Sequence, residues 1–198
     1  TANVLVSQLK NANAKDALKI TVIDPLVGST SAKDLIALTK KTSEVVIATG
    51  LLKGVSGSAS EINSLLKAEK SIGVKYVTLD AAQPFTITGT AKAADVNDIA
   101  LKTTGVVTAT VAADTAAKLL SSLNNTDNAD MLTLTVNGAT ASVAELNALN
   151  AKTGVNIKVD AKEITGTGAE LSALYTGLPG TQPAGFANLG NENVRATD

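Results

Sequence analysis

Thr1–Val22, TANVLVSQLKNANAKDALKITV, lies on Thr115–Val136, TAAKLLSSLNNTDNADMLTLTV, without a gap. Ten of the 22 positions are identical, among them Leu5/Leu119, Leu9/Leu123, Asp16/Asp130, Leu18/Leu132 and Val22/Val136. The likeness runs on downstream with a sliding offset: Asp34-Leu35 answers Glu145-Leu146, and Gly57 with Glu61 answers Gly166 with Glu170. A long repeat of roughly four units therefore overlies a shorter one, the pattern that tandem duplication leaves. The shorter phrase is a strand-like run, a Gly- or Ser-marked turn and a short amphipathic helix. It comes seven times, in copies about 23 to 39 residues apart, which is the period of stacked arrays.

The strand phases are Leu18–Val22, Val45–Thr49, Val74–Leu79, Val106–Val111, Leu132–Val136 and Val155–Val159, with a seventh starting at Val194. Most alternate apolar residues with Thr, Lys or Asn, the pattern of a strand with one buried face. Phe85–Gly89 and Glu163–Gly166 predict a second short strand before some helices, which gives those cross-sections three sides. The helix phases are Ala2–Lys10, Ala32–Lys41, Ser60–Lys70, Ala93–Leu101, Thr115–Leu123, Val143–Asn150 and Ala169–Leu174. Ser31-x-x-Asp34, Ser58-x-x-Glu61, Ser142-x-x-Glu145 and Thr167-x-x-Glu170 read as capping boxes, in which hydroxyl and carboxylate satisfy the free amides of the first turn. Leu35/Leu38, Ile62/Leu65/Leu66, Val96/Ile99 and Leu146/Leu149 form one narrow apolar stripe per helix. Gly73, Gly105 and Gly154 stand just past helix ends, where a left-handed residue is expected to close the last turn.

Strand, helix, strand with short connections is a parallel crossover. Its repetition predicts an α/β fold: a repetitive βα solenoid of about seven coils, with a parallel sheet on one side and short helices on the other. Residues 1–176 hold the tandem repeats, 177–193 a Pro/Gly-rich connector containing Leu178-Pro-Gly-Thr-Gln-Pro-Ala-Gly185, and 194–198 the start of a further repeat. The start at Thr1 and the end inside a new strand read as a piece of a longer repetitive protein.

Hydrophobic residues make up 44% of the 198-residue chain but aromatics only 2%, with no Trp, which suits narrow coils filled by Ala, Val, Leu and Ile. With a net charge of −1 and no basic stripe carrying stacking aromatics, nucleic acid is not an expected partner. No apolar run approaches the 18 residues that mark a membrane span. Cys and His are both absent, so thiolate and imidazole metal sites and disulfides are impossible.

Asp24, Asp80, Asn137 and Asp160, with Asp198 in the same phase, recur near strand ends. In successive coils they would form an edge able to hold Ca²⁺, which takes clustered carboxylate and carbonyl oxygens. The competing reading is a set of Asx turns that bind the local backbone. Ca²⁺ is thus the single cofactor considered, and the base expectation is none. Thr165-Gly-Thr-Gly-Ala-Glu170 has the strand–turn–helix setting of a phosphate loop, but Leu171 replaces its third Gly. Sister turns read Gly57-Ser-Ala and Gly89-Thr-Ala, so the turn reads as a repeat corner. Thr108-x-Thr110 beside Thr133-x-Thr135 makes a small Thr array of the kind that orders water on ice-binding solenoids, although Thr also suits any solvated strand face. Ser64-x-x-Lys67 has a nucleophile–base spacing with nothing converging on it. No acid/base pair stands out, and no enzyme activity is expected.

The phrases Ile87-Thr-Gly-Thr-Ala-Lys-Ala-Ala-Asp-Val-Asn97, Ala141-Ser-Val-Ala-Glu-Leu-Asn-Ala-Leu-Asn-Ala-Lys-Thr-Gly154 and Glu163-Ile-Thr-Gly-Thr-Gly-Ala-Glu-Leu171 resemble the Thr/Ala-rich tandem repeats of giant bacterial extracellular proteins, best known from marine cyanobacteria. Phe186-Ala-Asn-Leu-Gly-Asn-Glu-Asn-Val194 resembles a linker of that family. The resemblance implies secretion and a place at the bacterial cell surface, and it brings no catalytic residues. The expected function is a structural segment of a large secreted surface protein: a spacer, a filament or surface-layer subunit, or an adhesin stalk that self-associates through its sheet edges. The alternative is a calcium- or carbohydrate-binding module, with a cell-surface glycan as its partner.

Overall fold

The computed structural model describes residues 1–25, 27–69, 76–176 and 185–198. Gly73, the start of the strand phase at Val74 and most of the Leu178–Gly185 turn cluster lie outside the described residues. Among the described residues the chain is mixed α/β, with seven helices and strands that pair in parallel. It divides into two compact units, Thr1–Gly89 with Asp98–Val107 and Thr90–Asn97 with Thr108–Asp198.

The helices are α1 (Ala2–Gln8), α2 (Ala32–Thr39), α3 (Ala59–Glu69), α4 (Ala93–Ala100), α5 (Ala116–Ser122), α6 (Val143–Asn150) and α7 (Gly168–Tyr175). In the first unit the strands are β1 (Thr30–Ser31), β2 (Val46–Ile47), β3 (Val55–Gly57), β4 (Val77–Thr78) and β5 (Phe85–Ala91). They form two ladders. One pairs Thr30 of β1 with Val55 of β3 and Val55 with Phe85 of β5. The other pairs Thr21 with Ile47 of β2 and Val46 with Val77 of β4. The second unit adds β6 (Val107–Val111), β7 (Met131–Thr133), β8 (Thr135–Val136), β9 (Thr140–Ser142), β10 (Ile157–Val159), β11 (Glu163–Gly166), β12 (Phe186–Ala187) and β13 (Asn193–Ala196). There β8, β10 and β12 form one parallel ladder, β9, β11 and β13 a second, and β7 pairs with β6. The ladders of β1, β3 and β5, of β8, β10 and β12, and of β9, β11 and β13 each join one phrase to the same phase of its neighbours. α1, α2 and α3 pack in sequence in the first unit, and α5, α6 and α7 do so in the second.

The strand phases differ from expectation in length and number. Leu18–Val22 forms only a bridge at Thr21, and Leu132–Val136 splits into β7 and β8. The split follows from pairing: β7 is bonded to β6, whereas β8 is bonded to β10. The second short strand expected at Phe85 and Glu163 is present, and β1, β3 and β9 repeat it. In place of a single parallel sheet, the first unit has two ladders and the second has three, the third being β6 with β7. The corner between them is tight. Between β8 and β9 it is turned by Gly138 at φ 112°, which residues with a Cβ rarely adopt.

Inward positions are almost entirely aliphatic. Val107, Ala109 and Val111 of β6 are buried while Thr108 and Thr110 face out. Leu35 and Leu38 of α2, Ile62 and Leu65 of α3, and Leu146 and Leu149 of α6 are fully buried, as their spacing predicts. The two Phe residues, Phe85 and Phe186, are both core residues at strand starts. Ser58 with Glu61, Ser142 with Glu145 and Thr167 with Glu170 form complete capping boxes. Ser31 accepts from Asp34 N–H at 3.3 Å without the reciprocal bond, because the shorter Asp is not bonded back to the cap amide.

The helix-to-strand connections hold a feature that the sequence reading passed over. Thr42, Thr103 and Thr153 each follow a Lys after a helix, and each sends its hydroxyl into the preceding phrase. Thr42 Oγ1 donates to Leu18 O at 2.7 Å and accepts from Leu18 N–H and Glu44 N–H, both at 3.0 Å. Thr153 Oγ1 donates to Leu132 O at 2.8 Å and accepts from Leu132 N–H at 2.9 Å and Val155 N–H at 3.1 Å. Thr103 Oγ1 donates to Gln83 O at 2.6 Å and accepts from Gly105 N–H at 2.8 Å. Thr42 and Thr153 are both 3% exposed, so water cannot replace these bonds.

The glycines beside them correct another expectation. Gly105 and Gly154 are not left-handed. They are required by close approach: a Cβ on Gly105 would meet Ala82 O at 2.4 Å, and one on Gly154 would meet Asn128 O at 2.9 Å. Lys40 and Ala151, the residues that end α2 and α6, keep right-handed angles, so no left-handed closure is needed there.

Replacing Thr153 by Val keeps the shape but removes its hydrogen bonds to Leu132 N–H, Leu132 O and Val155 N–H. Unmade buried bonds cost about 1–3 kcal/mol each. We expect T153V to lose about 3 kcal/mol or more in urea unfolding at unchanged m-value, with T153S losing less than about 1.5 kcal/mol because the hydroxyl is kept. A T153V loss under about 0.5 kcal/mol, the range of an ordinary surface substitution, would contradict this role.

Candidate functional site

The four residues of the expected cation edge are each placed by a strand end. In the first unit, Asp24 Oδ2 accepts the Lys53 amide at 3.1 Å and Asp80 Oδ2 accepts the Gly50 amide at 2.6 Å. In the second, Asp160 accepts from Lys158 Nζ and from Asn188 Nδ2, both at 2.7 Å. The Lys158 hydrogen bond, with smaller help from Asn188, holds the Asp160 carboxyl below its ordinary value despite some desolvation. Asn137 is exposed and donates its backbone N–H to Asp114 O at 3.0 Å. Asp198 spreads both oxygens over the Gly168 amide, at 3.0 and 3.2 Å. Asp24, Asp80 and Asp198 thus bind backbone as an Asx turn would, but across to a neighbouring phrase about one period away. No group of three or more acidic residues able to hold a metal ion occurs among the described residues.

The Gly-rich turn at Thr165–Glu170 is a capped helix start. Thr167 Oγ1 accepts from Glu170 N–H, and Glu170 accepts from Thr167 N–H at 2.8 Å. Gly168 N–H, which a phosphate would need, is held by Asp198. Ser64 donates to Ser60 O at 2.8 Å within its own helix, so its hydroxyl is not aimed at Lys67. In the Thr array, Thr110 registers with Thr133, but Met131 stands opposite Thr108 and breaks the rank.

The most perturbed ionisable pair lies where no motif pointed. Tyr175 at the end of α7 donates its hydroxyl to Glu192 beside β13. Burial, and then this bond to a carboxylate, push the Tyr175 phenol well above its ordinary value. Burial acts to raise the Glu192 carboxyl, but the Tyr175 hydroxyl and the amides of Gly190 and Asn191 outweigh it and hold the group below its usual range. The pair ties the end of α7 to the approach of β13, and no other titratable side chain is bonded to it among the described residues.

Two of the open grooves among the described residues differ in character. One, of about 440 Å³, is lined by Asn128, Asn147, Asn150, Asn156, Thr153 and Gly185 and is strongly polar. The other, of about 370 Å³, is mainly apolar and is lined by Leu5, Leu9, Ala17, Leu18, Lys19 and Ile20. Spacing could have shown the Asn cluster, because Asn147 and Asn150 sit three apart on α6. Asn128 and Asn156 join them only through the fold.

The chain matches no protein-family model, no curated protein and no solved structure.

Tyr175 makes the alkaline limb of stability diagnostic. Its folded-state value is raised, so its contribution is complete below the unfolded phenol value of about 10 and is lost as pH rises above it. We expect the melting temperature to fall between about pH 10 and pH 12, and the fall to be shallower in Y175F. Equal slopes in both proteins would show that the pair does not carry this dependence.

Proposed function

We propose that this chain is a structural segment of a repetitive, secreted bacterial surface protein, built as a βα solenoid in which each phrase is one coil. The observation that carries the reading is the like-to-like pairing of phrases. β8, β10 and β12 pair in parallel in one ladder and β9, β11 and β13 in another, each strand one period from the next. A unit of this kind cannot bury its apolar face alone and depends on its neighbours. Its polar side chains are spent on the same task, since Thr hydroxyls and Asp carboxylates hold backbone groups of adjoining phrases. Such a body supplies length and a repeated surface, the properties a spacer, filament subunit or stalk needs. The resemblance of its phrases to Thr/Ala-rich repeats of giant extracellular bacterial proteins supports the same reading and the extracellular location.

Small-angle scattering and negative-stain microscopy test this. A structural array is expected to give a rod-like distance distribution, and at high concentration particles that associate through their sheet edges. A compact, concentration-independent monomer would sink the proposal.

A glycan-binding module is the second reading, and the Asn-lined groove is the observation that favours it. Amides present paired donors and acceptors that match sugar hydroxyls. Saturable binding on a glycan array, lost in N147A and N156A, would support it; no binding to any glycan removes it. The calcium version rests on the Asp edge, whose oxygens are engaged by amides and by Lys158. A rise in melting temperature at millimolar Ca²⁺ would support that version, and an unchanged one would remove it.

A further inference from the structure

The first phrase carries an edge that its counterpart in the second unit has covered. Thr1–Val22 and Thr115–Val136 share their turn as well as their sequence. Asp16 Oδ2 accepts Asn13 N–H at 2.8 Å, and Asp130 Oδ2 accepts Asp127 N–H at 3.2 Å. Thr42 holds Leu18 as Thr153 holds Leu132. On the following side they are also alike, since Thr21 pairs with Ile47 and Thr135 with Lys158.

On the preceding side they differ. In the second unit β7 is paired in parallel with β6, in the register Thr108 with Met131, Ala109 with Leu132 and Thr110 with Thr133. Leu119, Leu123 and Leu132 are there at most 1% exposed. Their counterparts Leu5, Leu9 and Leu18 are only half-buried, and Ala17 and Lys19 are exposed. No strand pairs with Ala17–Lys19 among the described residues. These residues, with Ile20 and Thr21, line the open groove of about 370 Å³.

We propose that this groove is an acceptor for a β-strand of the β6 type, Val-Thr-Ala-Thr-Val, entering in parallel from a further copy of the repeat whose strand of this type is unpaired, since β6 here is already taken by β7. The occupant is specified by the internal precedent. The same leucines, the same turn and the same Thr clamp are completed in the second unit by that strand in that register. Its alternation supplies small apolar side chains to Leu5, Leu9 and Leu18 and leaves both Thr side chains in water. Strand addition gives main-chain hydrogen bonds, and the alternate side chains set the choice of partner. Lys19 is the single charged residue lining the groove, so an uncharged strand meets no opposing charge. The inference rests on the array reading above and names the surface and partner through which such an array would join.

The test titrates a peptide of residues 104–113, TGVVTATVAA, into the full chain and follows amide exchange by NMR. Saturable binding at millimolar peptide or below is expected, with exchange at residues 17–21 slowed at least about tenfold. A paramagnetic label on the peptide N-terminus should broaden Ala17 more than Thr21, as parallel entry requires. A peptide carrying Val107→Asp, Ala109→Asp and Val111→Asp should leave exchange unchanged; this control alters no residue of the folded chain. Unprotected residues 17–21 at saturating peptide, or protection confined to residues 193–196, would overturn the inference. The two proposals fail separately. Elongated assemblies whose residues 17–21 stay unprotected keep the array reading and remove the acceptor; peptide protection in a chain that never elongates keeps the acceptor and removes the array.

Discussion

A threonine hydroxyl, buried at Thr42 and Thr153 and half-buried at Thr103, stands where three of the helices hand the chain over to the next strand, and there it holds one phrase to the one before. The constraint comes from narrowness. A phrase this short has a strand of a few residues and a helix of two or three turns, so its backbone is rarely far from a corner where ladder bonds stop. Leu18 and Leu132 have both main-chain groups turned to such a corner, against a threonine that is itself buried. One hydroxyl satisfies both, because it donates once and accepts twice. The aliphatic core then packs against a backbone that carries no orphaned polar group at that point, and β7 and β10 can close over it.

The same economy governs the carboxylates. Carboxylates in the positions that suggested a cation edge are drawn to amides of adjoining phrases, and the amide that a phosphate would seek at Gly168 is held by Asp198. Charge-assisted bonds to backbone N–H groups are short and strong. Tyr175 and Glu192 follow the pattern, for their mutual bond serves to anchor the approach of β13 to α7. Polar side chains of this protein thus bond to backbone of adjoining phrases at several corners.

Internal similarity makes the molecule its own control. Residues 1–22 and 115–136 share ten of 22 residues and fold through the same Asp-closed turn. Leu119, Leu123 and Leu132 are sealed where Leu5, Leu9 and Leu18 are not, and the composition of the two segments does not explain it. The difference is the presence of β6 on one side of β7. Burial in such a chain belongs to the neighbour as much as to the residue.

The sequence by itself determined the seven helices, close to their ends, because capping boxes and an i, i+3/i+4 apolar stripe act within a dozen residues and need no partner. It also determined the parallel sense of pairing and the phase of each phrase. It overstated strand length and missed β1, β3, β9 and β12, since strands of two or three residues exist only through the chain beside them. It assigned Gly105 and Gly154 to left-handed closure, whereas their need for hydrogen in place of a side chain is set by Ala82 and Asn128 across the corner. Thr42, Thr103 and Thr153 look like solvated residues after a Lys, and nothing local distinguishes them. Their role, like the meeting of four asparagines in one groove, was decided only by tertiary structure, because it depends on which backbone atoms of another phrase come within hydrogen-bond reach.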